Sequence, residues 1–287
     1  MTIRQILVPL VGSDDDGVTL AAGLMVGKRL SAHVEAMHAS VDSRDAVAFV
    51  GEGMTSLMIE NIIDAADAEG QDRASRALAL FRQLAGTFAA TVTTEPVSAG
   101  FSAGFVRRVG HEDDLMAERG RLADLIVASK PKSKEEPGHS PLLEAALRET
   151  GRPVLVVPGP IEENFGRVVA IAWNGSMEGA RSVTFALPIL ERAERVAILS
   201  VADDQSFGPG AEDAAAYLAW HGIKATVAQS VAKAPSPGRV LLLSAAEQGA
   251  DLMVMGAYTR SRMRRLIFGG VTADVLLHAT IPVLMAH

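Results

Sequence analysis

Short continuous apolar runs alternate along the chain with longer segments whose apolar residues fall on one helical face. The run at 252–255 is a clear example, because all four of its residues are apolar and a glycine follows directly. Runs of this length are typical of strands that are buried on both faces, as in parallel sheets. Regular alternation of strands and helices predicts an α/β fold in which helices cover both faces of a parallel sheet.

The pattern predicts five strands in each half of the chain. The predicted strands are 6–11, 33–38, 91–97, 124–128, 153–157, 167–172, 196–201, 225–231, 252–255 and 282–286. Helical periodicity lies between them. The predicted helices are 18–30, 54–84, 105–119, 141–150, 177–191, 211–221, 238–249 and a last one from 271 to 279. Gly70 is expected to divide the long second helix into two, since glycine is a poor helix former.

The second half of the chain repeats the first. Short sequences recur in the same order: Gly12-Ser13 as Gly175-Ser176, Asp124-Leu-Ile-Val as Asp251-Leu-Met-Val, and Pro153-Val-Leu as Pro282-Val-Leu. Between the copies, Pro158-Gly-Pro160 interrupts regular structure. The sequence therefore predicts two tandem α/β domains, 1–158 and 159–287, each an open parallel five-stranded sheet between helices.

Composition narrows the classes of function. The chain has 287 residues, a formal net charge of -7 and no cysteine. An acidic chain is a poor general partner for nucleic acid, and without cysteine there is no disulfide, thiol catalysis or Cys-ligated zinc. No apolar run approaches the about 20 residues that span a bilayer, and no signal segment opens the sequence. We expect a cytoplasmic protein without membrane contact.

The stretch after the strand at 252–255 carries the candidate chemistry. Gly256 ends the strand, Arg260 opens an arginine-rich loop, and Gly269 and Gly270 precede the last helix. Glycines at a helix start leave backbone N–H groups approachable, and the positive end of the helix dipole favours an anion. Thr272 adds a hydroxyl in the first turn. These features indicate a phosphate site, although a plain loop bend before a helix explains the glycine pair equally simply.

This stretch resembles the nucleotide loop of the universal stress protein family, which has Gly, two residues, Gly, nine residues, Gly, then Ser or Thr. Gly256 and Gly269 match the first and third glycines, whereas Thr259 and Gly270 depart from the pattern. Thr272 matches a hydroxyl that many nucleotide-binding members carry. The resemblance implies the tandem form of that family, with a Rossmann-like, adenine nucleotide alpha hydrolase-like fold.

By the same resemblance, the second domain would bind ATP, with Mg²⁺, or a related adenine nucleotide. The residues that would contact the nucleotide follow the ends of three strands or lie in the loop: Ala172, Trp173, Asn174, Val201, Met255, Gly256, Thr259, Arg260, Gly269, Gly270, Val271 and Thr272. Asn174 stands where nucleotide-binding members usually have an Asp. Two simpler interpretations stay open: Asn174-Gly175 is a plain turn, and Trp173 fills the pocket instead of stacking on a base.

The first copy is predicted to have lost the site. Ser129, Ser140, Pro141 and Leu143 replace the family's glycines and hydroxyl, and Val11 replaces its adenosine acid. Lys130, Lys132 and Lys134 are expected to lie in a solvated loop. His278 and the segment from His111 to Asp114 are expected to be packing or surface residues. No catalytic constellation and no metal spacing is recognisable, so the protein is expected not to be an enzyme beyond slow incidental ATP hydrolysis.

Two main functional hypotheses follow, beside a third and weaker one, a small-molecule enzyme with unrecognised chemistry. In the first, the chain is a stress-response regulator that binds an adenine nucleotide in its C-terminal domain. In the second, it is an interaction scaffold that has lost the ligand and acts on an unknown protein partner. The resemblance further implies that Val154–Val157 and Val283–Ala286 pair as an intrachain pseudo-dimer, which would protect two apolar strand edges. Packing of the domains by helices is the alternative, and a homodimer is compatible with either.

Overall fold

A computed structural model describes the chain as one continuous eleven-stranded sheet with helices on both faces. The residues that it describes are 2–13, 15–40, 56–97, 99–131, 140–163, 165–201, 208–230, 234–258 and 270–287. The predicted α/β class with a mostly parallel sheet is confirmed.

Outside residues 91–111, strands and helices alternate in the order that the sequence predicts. The strands are β1 Gln5–Leu10, β2 His33–Ser40, β3 Thr91–Val92, β4 Ser102–Val109, β5 Leu125–Ser129, β6 Val154–Val157, β7 Val168–Ala172, β8 Arg195–Val201, β9 Ala225–Ser230, β10 Leu252–Gly256 and β11 Val283–Ala286. The helices are α1 Asp16–Leu30, α2 Ser56–Thr87, α3 Glu112–Gly120, α4 Pro141–Glu149, α5 Met177–Leu190, α6 Ala211–Trp220, α7 Pro237–Glu247 and α8 Gly270–His278.

The strand order shows the internal repeat directly. Across the sheet it runs β3-β4-β2-β1-β5-β6-β11-β10-β7-β8-β9. Apart from β3, each half therefore has the same arrangement, with its first strand in the middle and its fourth and fifth strands on one side. In each half the strand order reverses between the first and fourth strands, which are β1 and β5 in one half and β7 and β10 in the other. Ligands of open α/β sheets bind beyond the carboxyl ends of the strands at such a point.

The two halves join through an antiparallel pair of strands. Val283 of β11 lies opposite Val156 of β6, and Met285 lies opposite Val154. All eight residues of these two strands are buried. The predicted pairing is therefore confirmed, and it turns two apolar edges into the centre of one sheet.

The third strand of the first half was predicted at the wrong place. Residues 91–97 contribute only the two-residue strand β3, and the region expected to begin a helix at Phe105 forms β4 instead. The whole of β4 pairs in parallel with β2, from His33 opposite Ser102 to Ser40 opposite Val109. Gly104 makes room for β3, because a Cβ there would lie 2.6 Å from the carbonyl oxygen of Thr93. In the residues that the structure describes, the first half thus has six strands rather than five.

The long second helix is not divided at Gly70. Helix α2 runs without interruption from Ser56 to Thr87, and a Cβ at Gly70 would meet nothing within 4 Å. The predicted break rested on glycine's low helix propensity, which costs only about 1 kcal/mol. Packing of residues such as Phe81, which is 2% exposed, holds the helix against the first half of the sheet.

The helices form one layer on each face of the sheet. One buried cluster includes Leu24 of α1, Phe81 of α2, Leu187 of α5 and Leu218 of α6. The other includes side chains of the remaining helices: Met116, Leu143, Leu241 and Val275. Each cluster contains residues of both halves, so the core is continuous across the β6–β11 junction.

A lysine of the first half caps a helix of the second half. The Nζ atom of Lys130, directly after β5, donates hydrogen bonds to the carbonyl oxygens of Leu277 at 2.9 Å and Ala279 at 3.1 Å. Last-turn carbonyls have no partner within their own helix, and a cation offsets the negative end of the helix dipole. Burial lowers the pKa of Lys130. The expectation that Lys130 is solvated is therefore wrong, while Lys132 and Lys134 lie outside the described residues.

Replacing Lys130 by methionine is expected to lower the free energy of unfolding by about 1–2 kcal/mol, because two carbonyl groups of α8 lose a charged donor. Urea unfolding of the full chain measures the change. Lys224→Met, at an exposed position before β9, is the matched control and is expected to have an effect below about 0.5 kcal/mol. Equal effects of the two substitutions would show that the contact does not stabilise the junction.

Candidate functional site

The candidate site lies at the carboxyl ends of β7, β8 and β10, where α5 and α8 begin. We call this region the C-terminal corner. Ala172 at the end of β7 lies opposite Met255 of β10, so the residues that follow these two strands are neighbours. Val201 ends β8 opposite Ser230 of β9. Both helices present their N-terminal ends at this edge of the sheet, and their dipoles favour a negative charge there.

Residues 173–176 form a turn that is fixed by its own hydrogen bonds. The Oδ1 atom of Asn174 accepts a hydrogen bond from the amide of Ser176 at 3.2 Å, and Gly175 has a φ of 72°. The hydroxyl of Ser176 caps α5 by accepting from the amide of Gly179 at 3.0 Å. Asn174 thus supports the turn with one oxygen, while its amide nitrogen keeps its two donors.

Trp173 is held against the following loop. Its indole Nε1 donates to the carbonyl oxygen of Pro209 at 2.9 Å, and its half-buried ring packs on the core. Gly208 also lies close, because a Cβ there would be 2.1 Å from the carbonyl oxygen of Gly175. The side chain of Trp173 therefore fills space between two loops. This arrangement agrees with the interpretation that Trp173 is a packing residue and does not stack on a base.

Gly256 is required for packing. A Cβ at this position would lie 2.6 Å from the amide nitrogen of Gly179 and 2.9 Å from the Cβ of Glu178. The N-terminal turn of α5 therefore rests directly on the end of β10. Ser182, one turn further along α5, joins the neighbouring strands by donating to the carbonyl of Met255 at 2.7 Å and accepting from the amide of Ala286 at 3.0 Å.

The hydroxyl of Thr272 is also engaged within the protein. Its Oγ1 accepts a hydrogen bond from the amide of Tyr258 at 3.1 Å, and the residue is 3% exposed. This bond ties the chain after β10 to the first turn of α8. Thr272 consequently holds the two ends of the intervening loop together, a role that the resemblance did not assign to it.

Tyr258 is a structural residue of this corner that the sequence did not reveal. It has a φ of 58°, which is uncommon for a bulky residue, and it is 9% exposed. The guanidinium of Arg148, from α4 of the first half, lies 4.2 Å from the ring centroid, and the ring of His287 meets it edge-on at 5.9 Å. Burial raises the pKa of the Tyr258 hydroxyl to about 12. The end of β10 is therefore anchored against the other half of the chain.

The remaining predicted positions differ in accessibility. Gly270 is exposed at the start of α8, and a Cβ there would meet nothing within 4 Å. Val271 is half-buried, and its carbonyl oxygen packs against Gly238 of α7. Thr259, Arg260 and Gly269 lie outside the described residues. Among the described part of the loop, Gly270 is thus the position where a ligand can approach the backbone most closely.

The matching corner of the first half is occupied by an acidic side chain. The carboxylate of Asp16 accepts hydrogen bonds from the amides of Val11 at 3.2 Å and Gly12 at 2.8 Å, and from the hydroxyl of Ser13 at 3.0 Å. Burial raises the pKa of Asp16, while these three hydrogen bonds lower it. Because Gly12-Ser13 repeats as Gly175-Ser176, the position that corresponds to Asp16 is Gly179. The second half therefore has a glycine at this position, and the acidic residue in the first turn of its helix is the neighbouring Glu178.

Other predicted residues have structural roles. Ser140 caps α4 by accepting from the amide of Leu143, which is 1% exposed, and Pro141 is the first residue of that helix. The Nδ1 atom of His278 lies 2.9 Å from the carbonyl oxygen of Asp274. Within the described residues there is no group of three potential metal ligands. Nor does that part of the chain contain a helix with the length and apolar character to cross a membrane.

Comparison with known proteins gives matches at the level of family and of fold. Residues 167–287 match the model of the universal stress protein family. A universal stress protein from Archaeoglobus fulgidus DSM 4304 is similar in structure, with 14% sequence identity and a TM-score of 0.72, over 99% of this chain and 96% of that one. A functionally unknown protein from Pseudomonas aeruginosa PAO1 has 15% identity and a TM-score of 0.57, over 99% and 92% of the two chains. No curated protein sequence gives a significant match.

Proposed function

Because residues 167–287 match the model of the universal stress protein family and the whole chain shares its fold with a universal stress protein, we propose that the C-terminal corner binds ATP or a related adenine nucleotide. In this proposal the protein is a stress-response regulator rather than an enzyme. Asn174 and the main chain at Val201 contact the nucleoside, and the backbone at Gly270 and Val271 receives the phosphates. A Mg²⁺ ion would accompany the phosphates as a counterion. The cytoplasmic location expected from the sequence stays a prediction.

The contrast between Asp16 and Gly179 carries this proposal. In the first half, a carboxylate uses the amides of Val11 and Gly12, so an incoming phosphate would meet both a negative charge and engaged donors. In the second half, the corresponding residue is a glycine without charge, and two helix N-termini face the same edge of the sheet. Like charges repel and helix N-termini attract anions, so only the second corner suits a phosphate.

A specific observation also favours the scaffold hypothesis. Two of the positions assigned to the nucleotide, Gly256 and Thr272, are explained by packing and by an internal hydrogen bond. A chain that had lost its ligand would still need both residues to keep its fold. The distinction between the two hypotheses therefore depends on Gly270, which has no such internal role among the described residues.

The test compares two substitutions of Gly270 in the full chain, aspartate and asparagine. The side chains have nearly the same size, the position is exposed and open, and an acidic residue in the first turn of a helix does not destabilise it. Binding of ATP is measured by isothermal titration calorimetry. We expect Gly270→Asp to weaken binding at least about tenfold relative to Gly270→Asn, because only the carboxylate repels phosphate.

Two results would count against the proposal. If the natural chain shows no saturable binding at millimolar ATP, the scaffold hypothesis is favoured. If ATP binds but the two variants bind it equally well, the phosphates lie away from the start of α8. Thermal unfolding of both variants confirms that any difference in binding does not arise from loss of the fold.

A further inference from the structure

A charged cleft lies between the two halves at the edge of the sheet opposite the C-terminal corner. Its volume is about 740 Å³, within the range of small-molecule sites. The ends of α1, α2 and α5 and the residues directly before β7 and β8 form its walls. Its charged residues are Lys28, Arg29, Arg167, Arg192, Glu163 and Glu194. Because Arg167 precedes β7 and Asn174 follows it, the length of a strand, roughly 16 Å, separates the cleft from the nucleotide site.

The cations of the cleft are only partly neutralised. Arg167 forms a two-bond ion pair with Glu194, with Nε–Oε1 and NH2–Oε2 distances of 2.7 and 2.8 Å. The side chain of Lys28, by contrast, makes no hydrogen bond or ion pair within the described part of the chain. Arg192 donates from its NH1 atom to the carbonyl oxygen of Pro188 at 2.6 Å, and this acceptor carries no net charge. Positive charge is therefore in excess here, although the whole chain carries a net charge of -7.

One of the cations, Arg29, is held in place by two contacts with the same residue. Arg29 donates from its NH1 atom to the carbonyl oxygen of Phe165, and its guanidinium lies 5.8 Å from the centre of the Phe165 ring. Phe165 is 3% exposed and belongs to the segment that joins the two halves. Arg29 is thus pre-organised at the junction. Its side chain therefore loses less conformational entropy when it binds a ligand.

Compensation of helix dipoles accounts for only part of this charge. Lys28 and Arg29 lie in the last turn of α1, and Arg192 follows the end of α5. The C-terminal end of a helix carries about half a negative elementary charge, and at an exposed surface water and salt screen it further. Three helix ends line the cleft, those of α1, α2 and α5, and together they carry about 1.5 negative charges. The four cations and two carboxylates of the cleft leave two positive charges.

We propose that this cleft binds a small anion with two linked phosphate groups. The cleft combines two kinds of side chain that bind phosphate. Guanidinium groups donate paired N–H hydrogen bonds to phosphate oxygens, and a lysine ammonium acts as a point charge. The walls come from both halves, so the ligand contacts α1 of one and α5 of the other. The site is independent of the C-terminal corner, and it would bind such an anion even in a chain that binds no adenine nucleotide.

The experiment titrates the full chain with inorganic diphosphate at low ionic strength by isothermal titration calorimetry. The test variant is the double substitution Lys28→Gln and Arg192→Gln, which leaves Arg29 and the Arg167–Glu194 pair intact. The matched control is Lys224→Gln with Arg239→Gln, which removes the same charge from exposed positions outside the cleft. We expect the affinity to fall at least about tenfold in the test variant and less than about twofold in the control.

Three outcomes would overturn the proposal. The first is the absence of saturable binding at millimolar diphosphate. The second is an equal loss in the test and control variants, which would show a response to total charge only. The third is a loss of the same size in Gly270→Asp, which would place the anion at the C-terminal corner instead. An unchanged thermal unfolding midpoint in the test variant excludes a general effect on folding.

Discussion

Replacing Gly256 by alanine is expected to lower the free energy of unfolding by about 2–3 kcal/mol, although the change adds a single methyl group. The new Cβ would lie 2.6 Å from the amide nitrogen of Gly179 and 2.9 Å from the carbonyl carbon of Glu178. Both of these atoms belong to the backbone of α5, so they cannot move aside as the end of a flexible side chain would. Relief therefore requires a shift of the helix against β10. Urea unfolding of the full chain measures the effect.

Gly270→Ala is the matched control for this prediction, since both glycines lie in the same stretch between β10 and the start of α8. A Cβ at Gly270 meets nothing within 4 Å, and alanine is the better helix former, so its stability is expected to stay the same or rise by up to about 1 kcal/mol. If Gly256→Ala were tolerated as well as Gly270→Ala, the close contact between α5 and β10 would not exist in solution.

The second large effect is expected at the ion pair between α3 and β2. Glu35 is 5% exposed, and its carboxylate accepts hydrogen bonds from Nε of Arg119 at 2.7 Å and from NH2 at 2.5 Å. Arg119→Met leaves this buried carboxylate without its partner. Removal of one member of a fully buried ion pair typically costs about 3–5 kcal/mol. Because the side chain of Arg119 is 32% exposed, we expect a loss near the lower end of that range in urea unfolding.

The double variant Glu35→Met with Arg119→Met provides the control. Replacement of a buried ion pair by apolar side chains is often close to neutral, so the double variant is expected to recover most of the lost stability. A double-mutant cycle then gives the interaction energy of the pair. The explanation would fail if the double variant were as unstable as Arg119→Met, because the loss would then come from packing of the long side chain rather than from the unpaired charge.

Repetition and apolar runs made most of the fold predictable. The strand at 252–255 was recognisable because all of its residues are apolar, and the structure has β10 at Leu252–Gly256. The repeated Pro-Val-Leu sequences located β6 and β11, which are the two strands that pair across the junction. Features of this kind lie within a few neighbouring residues, and a single sequence therefore contains them.

The misplaced third strand shows where such local information ends. Phe105, Val106 and Val109 have a spacing that suits one face of a helix, and an apolar pattern this short is ambiguous between helix and strand. The strand conformation is favoured here because the eight residues of β2 pair with β4 along its whole length. The partner strand lies about 70 residues earlier in the sequence, so the pattern around Phe105 could not reveal it.

The same limit applies to individual side chains of the candidate site. The resemblance located the C-terminal corner, and it assigned Gly256 and Thr272 to the ligand by position in a motif. The contact of Gly256 with Gly179 and the bond from the Tyr258 amide to Thr272 depend on how distant segments meet. Asp16 is a further example, since nothing in its sequence neighbourhood distinguishes a capping residue from one that occupies the amides of the turn after β1.

The antiparallel pairing of β6 with β11 has a thermodynamic consequence, because both strands belong to one polypeptide. In a dimer of separate chains, such a contact dissociates on dilution, and the unfolding temperature then depends on protein concentration. In this chain the connecting segment keeps the second strand at a high effective concentration near the first. The junction therefore survives dilution to concentrations at which two unlinked halves would separate.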